Sequence, residues 1–138
     1  MTLPPVTDGV ITLTPEFTLL EDAWMSGIGA IARRGANVLI EDGFLGGIAS
    51  QNRWMEALAG LSIFWVGVIC DEQTAVIRER ARGDRDAGMA SSQRLLVHRG
   101  ILYHCIVDTT DGDSSALAND VLAAMRAAGS SEPPHLTL

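Results

Sequence analysis

Apolar residues recur at Phe17, Leu20, Trp24, Ile28 and Ile31, a spacing of three and four that predicts one helix with a single apolar stripe. Thr14 is suited to cap that helix, with Pro15 at its first position and Glu16 in its first turn. Arg33 and Arg34 favour its C-terminus, and Gly35 ends it. Val10 to Leu13 precedes it as a short extended piece. Asn37 to Glu41, with Val-Leu-Ile at its centre, predicts a buried strand closed by the turn Asp42-Gly43. Gly46-Gly47 opens a loop before a helix from Ser50 to Leu58, stopped near Gly60. Ile63 to Ile69 is the second predicted strand. Asp71 is placed to cap a helix over Glu72 to Ala81, and Gly83-Asp84-Arg85-Asp86 interrupts it. A further helical stretch runs to His98 and stops at Gly100. Tyr103 to Val107 is the third strand, and Ser114 is the expected cap of a last helix that ends at Gly129. Leu117, Val121, Leu122 and Met125 should form its core side.

Strands alternating with helices predict an α/β fold, a parallel sheet of about three core strands covered by helices on both faces in three layers. One domain over 1–129 and a flexible tail over 130–138 are expected. Sites in such sheets lie beyond the C-terminal ends of the strands, so the loops after Glu41, Cys70 and Val107 matter most.

The 138 residues carry a net charge of −7 and are 47% hydrophobic, which excludes a disordered solvating chain and disfavours binding to nucleic acid. All ten basic residues are Arg. With no Lys anywhere, Schiff-base chemistry and any complete GxxxxGK[ST] loop are excluded from these residues. The N-terminus lacks the basic and apolar regions of a signal peptide, and the apolar run from Leu58 to Cys70 is too short to span a bilayer. A cytoplasmic protein without a membrane partner is expected. Cys70 and Cys105 read as buried reduced thiols, with a disulfide open to them if their strands are neighbours.

Two groups could carry chemistry. Glu41 and Asp42 close the first strand, where carboxylates could hold Mg²⁺ or orient a hydroxyl; an ordinary Asp-Gly turn explains them as well. Arg78, Arg80, Arg82 and Arg85 cluster within eight residues. Guanidinium forks suit phosphate oxygens, and a solvated face paired with Glu79, Asp84 and Asp86 is the alternative. His98 reads as a helix-end cap, His104 lies in or beside a strand and His135 in the tail; none forms a zinc pair. Trp24, Trp54 and Trp65 sit on apolar faces.

Several segments taken in order resemble the chloramphenicol phosphotransferase family of small P-loop kinases. They are Pro15-Glu16-Phe17 with Leu20-Glu21 and Ala23-Trp24, Val38 to Gly47, Gln51 to Trp54, Trp65 to Val68 with Cys70-Asp71, and Arg78 to Arg85 through Ala90. Val97-His98, Gly100, Tyr103 and Val107 to Thr110 complete the set, which extends from about Asp8 to about Met125. The resemblance implies an ATP-dependent phosphotransferase acting on a hydroxyl of chloramphenicol or a similar small alcohol, with ATP and Mg²⁺ as cofactors. It matches Asp42 and Glu41, the candidate catalytic acids, to the family's acidic pair at a Walker-B-like strand end, and Arg82 and Arg85 to its lid arginines that contact the nucleotide phosphates; Arg78, from the arginine cluster, joins them as a candidate cofactor contact. Phe44, Leu45 and Trp54 would wall the acceptor pocket, although core packing explains them equally. Glu41 departs from the family's usual Asp, and His104 replaces an acid. The family's opening strand, its GxxxxGK[ST] loop and its general-base Asp have no counterpart here, so an incomplete P-loop kinase-like fold is expected. That leads to three further expectations: a reading frame that begins upstream or is truncated, no kinase activity from these residues alone, and a rearranged core or a homo-oligomer filling the gap. A degenerate binding module or an oligomerising remnant is the alternative.

Overall fold

The computed structural model describes residues 6–7, 10–83, 88–94, 96–128, 134 and 136–138. Two short strands, β1 (Val6–Thr7) and β2 (Val10–Ile11), pair antiparallel. They lead into α1 (Pro15–Arg33), α2 (Ile48–Ala57), β3 (Val66–Ile69), α3 (Glu72–Arg82), α4 (Met89–Arg94), β4 (Cys105–Asp108) and α5 (Ser114–Ala127). The local start signals act as read. Thr14 Oγ1 accepts the Phe17 amide at α1, and Asp71 Oδ1 accepts the Thr74 amide at α3. At α5 the cap is Asp113, which accepts from Ala116, and Ser114 is the first helical residue.

The parallel sheet is smaller than expected. β3 and β4 pair in register, Val66 opposite Cys105 through Ile69 opposite Asp108, and no other strand joins them among the described residues. Asn37 to Glu41 forms no strand; Leu39 is 97% exposed and Val38 is also exposed, while Ile40 reaches the core. A strand is a property of a pair, and without a neighbour to hydrogen-bond, β-branched composition alone does not make one.

The core sits between α1, α2 and the β3–β4 sheet. Met25, Phe44, Trp54, Leu58, Ile101 and Tyr103 form it, with Ile28, Ile63, Trp65 and Ile106 packed against it. The predicted α1 stripe is rotated. Leu20, Trp24 and Ile31 are exposed, and the buried positions are Met25 and Gly29. Gly29 is chosen by contact: a Cβ there would lie 2.6 Å from the Ala57 carbonyl oxygen. Arg33 on the next turn donates to Ala57 O at 2.8 Å and to Ala59 O, so a cation of α1 caps the C-terminus of α2. Arg53 ties the same two helices at their other end through Glu21 and Asp22.

Gln51 is 1% exposed, and nothing in its sequence context marks it as a core residue. Its amide donates to Leu102 O at 2.7 Å and accepts from Leu102 N at 3.1 Å, standing in for a strand neighbour at the approach to β4. Leu136 makes an antiparallel bridge with Tyr103. Cys70 and Cys105 are free, and the register explains it. Their strands are neighbours, but Cys105 is opposite Val66, four residues before Cys70, roughly 13 Å along the strand and beyond disulfide reach.

Candidate active site

The C-terminal ends of β3 and β4 bring Cys70-Asp71 beside Asp108-Thr109-Thr110. The Thr109 amide and hydroxyl both donate to Ile69 O, at 2.8 and 2.9 Å, extending the ladder by one residue. The Asp71 amide donates to Thr110 Oγ1 at 2.9 Å, and that hydroxyl donates in turn to Asp108 Oδ1 at 2.6 Å. Arg78, two turns into α3, reaches across. Its Nη1 donates to Thr109 Oγ1 at 3.0 Å and its Nη2 to Thr109 O at 2.6 Å. Donors from Thr74 hold the Asp71 carboxyl below the usual carboxylate range, and donors from Thr110 do the same for Asp108. Both stay ionised at neutral pH as acceptors that fix their own loops. This suits them to positioning and removes them as bases tuned near neutrality.

The two groups read from the sequence lie apart in their bonding. Asp42 Oδ2 accepts the Trp54 indole N–H at 2.6 Å, which anchors the irregular segment 41–44 to α2; the turn expected at Asp42-Gly43 falls instead at residues 45–47. Glu41 is exposed. No hydrogen bond or ion pair joins Glu41 or Asp42 to Arg78 among the described residues. Trp54 is 1% exposed and Phe44 is buried against Trp65, edge to face at 5.9 Å, so both are core residues rather than cleft walls; Leu45 is half-buried. Trp65 packs against the same core, whereas Trp24 is 46% exposed and meets Trp54 edge to face at 5.1 Å. Arg82 closes α3, and Arg85 lies outside the described residues, as does His135. Arg80 borders a shallow groove of about 450 Å³ with Glu72, Gln73, Val76 and Ile77, all on one face of α3.

A second residue that the sequence hid is Glu79. It is 7% exposed, and its carboxylate accepts from the Gly88 and Ala90 amides at 3.0 and 2.7 Å, docking the start of α4 on α3. Its neighbours in sequence are arginines, which made it read as their surface partner. His98 is not a helix-end cap. α4 stops at Arg94, and His98 Nδ1 lies 2.6 Å from the Tyr103 hydroxyl inside the turn that follows. His104 Nδ1 accepts the Trp65 amide at 2.8 Å, which leaves its proton on Nε2, and its ring stacks on Phe64.

The His98–Tyr103 pair gives the fold a pH dependence at both ends. Burial lowers the His98 pKa from 6.5 and raises that of Tyr103 from 10.0 to about 12. Below 6.5 the unfolded chain takes up a proton that folded His98 resists, so stability should fall as pH drops from 6.5 through the lowered folded value. Above 10.0 the unfolded tyrosine ionises first, so stability should fall again toward about 12. Urea midpoints across pH test this; in His98→Gln the acid limb should flatten, and an unchanged limb would reject the assignment.

The family model described as chloramphenicol phosphotransferase-like protein matches residues 3–126. The chain belongs to this family. Its members are kinase-type phosphotransferases, and the match covers α1 through nearly all of α5. A search of curated proteins gave no match. Asp71, Asp108 and Arg78 lie around the C-terminal ends of β3 and β4, the end of open α/β sheets where ligands commonly bind. Among the described residues no helix is long and apolar enough to cross a membrane, and no group of three or more His, Cys, Asp or Glu side chains converges on a metal position.

Replacing Arg78 with alanine is expected to loosen the Thr109 loop at little global cost, under about 1 kcal/mol, because Arg78 is exposed, Thr109 is only half-buried, and water replaces the guanidinium. Amide exchange at Thr109 and Thr110 should quicken while the urea midpoint stays within error. A large shift in the midpoint would contradict it.

Proposed function

We infer that this chain serves an ATP-dependent phosphotransferase reaction that modifies a hydroxyl of chloramphenicol or a similar small alcohol. The family match over residues 3–126 carries this reading. ATP and Mg²⁺ are the cofactors such a reaction uses. The residues present do not fit the triphosphate. No amine side chain exists in the sequence, no GxxxxGK[ST] run supplies amides, and Arg78 is committed to Thr109. Phosphoryl transfer is almost entirely positioning and charge stabilisation, so these 138 residues alone should not turn over nucleotide.

The test incubates the purified chain with ATP, Mg²⁺ and chloramphenicol and looks for phosphorylated acceptor by mass spectrometry, with acceptor binding followed by calorimetry. Acceptor binding without product supports the reading. Phosphorylated product would refute the inactivity of these residues, and no acceptor binding would refute the substrate class.

One observation favours a second reading, a non-catalytic binding or oligomerising remnant. The carboxylate of Asp42 is spent on Trp54 and stabilises the core. Under that reading Asp42→Asn lowers stability and leaves acceptor affinity unchanged.

A further inference from the structure

α4 is secured from outside itself. It has six residues, none of them buried, and it packs on α3 and meets β2. A helix of that length does not stand by its own hydrogen bonds. Gly88, whose carbonyl accepts the Ser92 amide at 3.1 Å, opens it and has no side chain to cap it. The cap comes from α3 instead. Glu79 Oε1 accepts the amide of Ala90, two residues beyond Gly88, which is the donor a capping oxygen ordinarily takes, and Oε2 accepts that of Gly88 itself. The Glu79 carbonyl also accepts the Gly83 amide, so one residue holds the chain where it leaves α3 and where it enters α4.

The seat of α4 also carries a defect. Gln93, on the same helix, holds its side-chain nitrogen out of contact with solvent and without a hydrogen-bond partner among the described residues. A buried donor with no acceptor has lost its hydration for nothing, and undocking returns it to water. Opposed contributions therefore meet at one helix. The charge-assisted bonds of the Glu79 carboxylate hold α4 to α3, and the stranded Gln93 amide pushes it off.

We propose that α4 is a latched segment: it undocks from α3 as a unit while the rest of the fold stays intact, with the Glu79 carboxylate as the latch and the Gln93 amide as the load against it. Local openings of this kind occur at elements with few buried apolar contacts, which describes α4. Arg78 and Glu79 are adjacent on α3, about 100° apart around the helix axis. One grips Thr109 beside the candidate site and the other grips α4, so the helix that lends Arg78 to the site is also the one that holds or releases α4. This inference stands apart from the phosphotransferase reading and holds for a catalytic or a non-catalytic chain.

The experiment is native-state amide exchange on the full 138-residue protein over a series of urea concentrations below the unfolding transition. The Ala90 and Ser92 amides should be at least about tenfold less protected than those of β4, with a smaller dependence on urea, because a local opening exposes less surface than global unfolding. Glu79→Gln keeps one acceptor oxygen but turns an NH2 group toward the second amide, and should lower the protection of Ala90 and Ser92 by at least about tenfold. Gln93→Met is close in length, carries no donor and removes the stranded group, so it should raise that protection by at least about threefold. The second variant gives a readout even if the first fails to fold. Protection of α4 equal to that of β4 at every urea concentration, Glu79→Gln without effect on α4, or Gln93→Met that leaves or lowers its protection would each overturn the proposal.

Discussion

Replacing Trp54 with alanine is expected to destabilise the protein by about 4 kcal/mol, the upper part of the range for deleting a buried aromatic. Three contributions add at this position. The ring is 1% exposed and fills the centre of the core with Met25 and Ile101. It meets the Trp24 ring nearly perpendicular, with centroids 5.1 Å apart. Its N–H is held by Asp42, a charge-assisted bond worth about 1–2 kcal/mol. A domain of this size has about 5–15 kcal/mol in all, so Trp54→Ala removes a large share. The urea midpoint should fall steeply. Trp54→Phe keeps most of the volume and loses only the hydrogen bond, so its cost should be near that of Asp42→Ala, and the double variant should cost little more than either alone. If Trp54→Ala left the midpoint unchanged, the core assignment would be wrong. If Asp42→Ala left stability untouched, the carboxylate would be free for the catalytic role that the resemblance gives it.

What the sequence made legible was local. Thr14, Pro15 and Asp71 act within four residues of themselves, and the structure uses each as read. What required a distant partner was hidden. Val38-Leu39-Ile40 has strand composition, but its fate was decided by whether a neighbouring strand exists. The face of α1 was set by Ala57 O, which selects Gly29, a residue with no apolar weight in any periodicity count. Gln51 and Glu79 are polar residues in polar stretches, and only their bonds to Leu102, Gly88 and Ala90 make them core members. The adjacency of the two cysteine strands could be guessed, whereas the register that separates the thiols could not. At the candidate site the same division holds. Arg78 was conspicuous by charge, and its partner Thr109 lies 31 residues away, where nothing in the sequence connects them.

Gly47→Ala is the second large effect, expected at about 3 kcal/mol. Gly47 has φ 58° and ψ −133°, a conformation that residues with a Cβ rarely adopt, which costs about 1–3 kcal/mol when forced on alanine. There is also no room for the methyl group, because a Cβ would sit 2.5 Å from the carbonyl oxygen of Arg99. That oxygen cannot simply withdraw, since it accepts the Ile48 amide at 3.0 Å. Gly47 has no side chain to cap α2, and the Arg99 carbonyl supplies an acceptor from outside the helix; losing it adds about 1 kcal/mol. The matched comparison is Gly27→Ala, in the middle of α1, where an added methyl group would meet nothing within 4 Å. There the helix gains an alanine, and stability should rise by about 0.5–1 kcal/mol. The two variants make the same chemical change with opposite expected signs, read as urea midpoints on either side of the parent. Equal midpoints would mean that the Arg99 contact does not set the start of α2. Opposite shifts would tie the Gly46-Gly47 pair to the geometry that carries Trp54, and through it Asp42, because α2 could not begin where it does with any larger residue at 47.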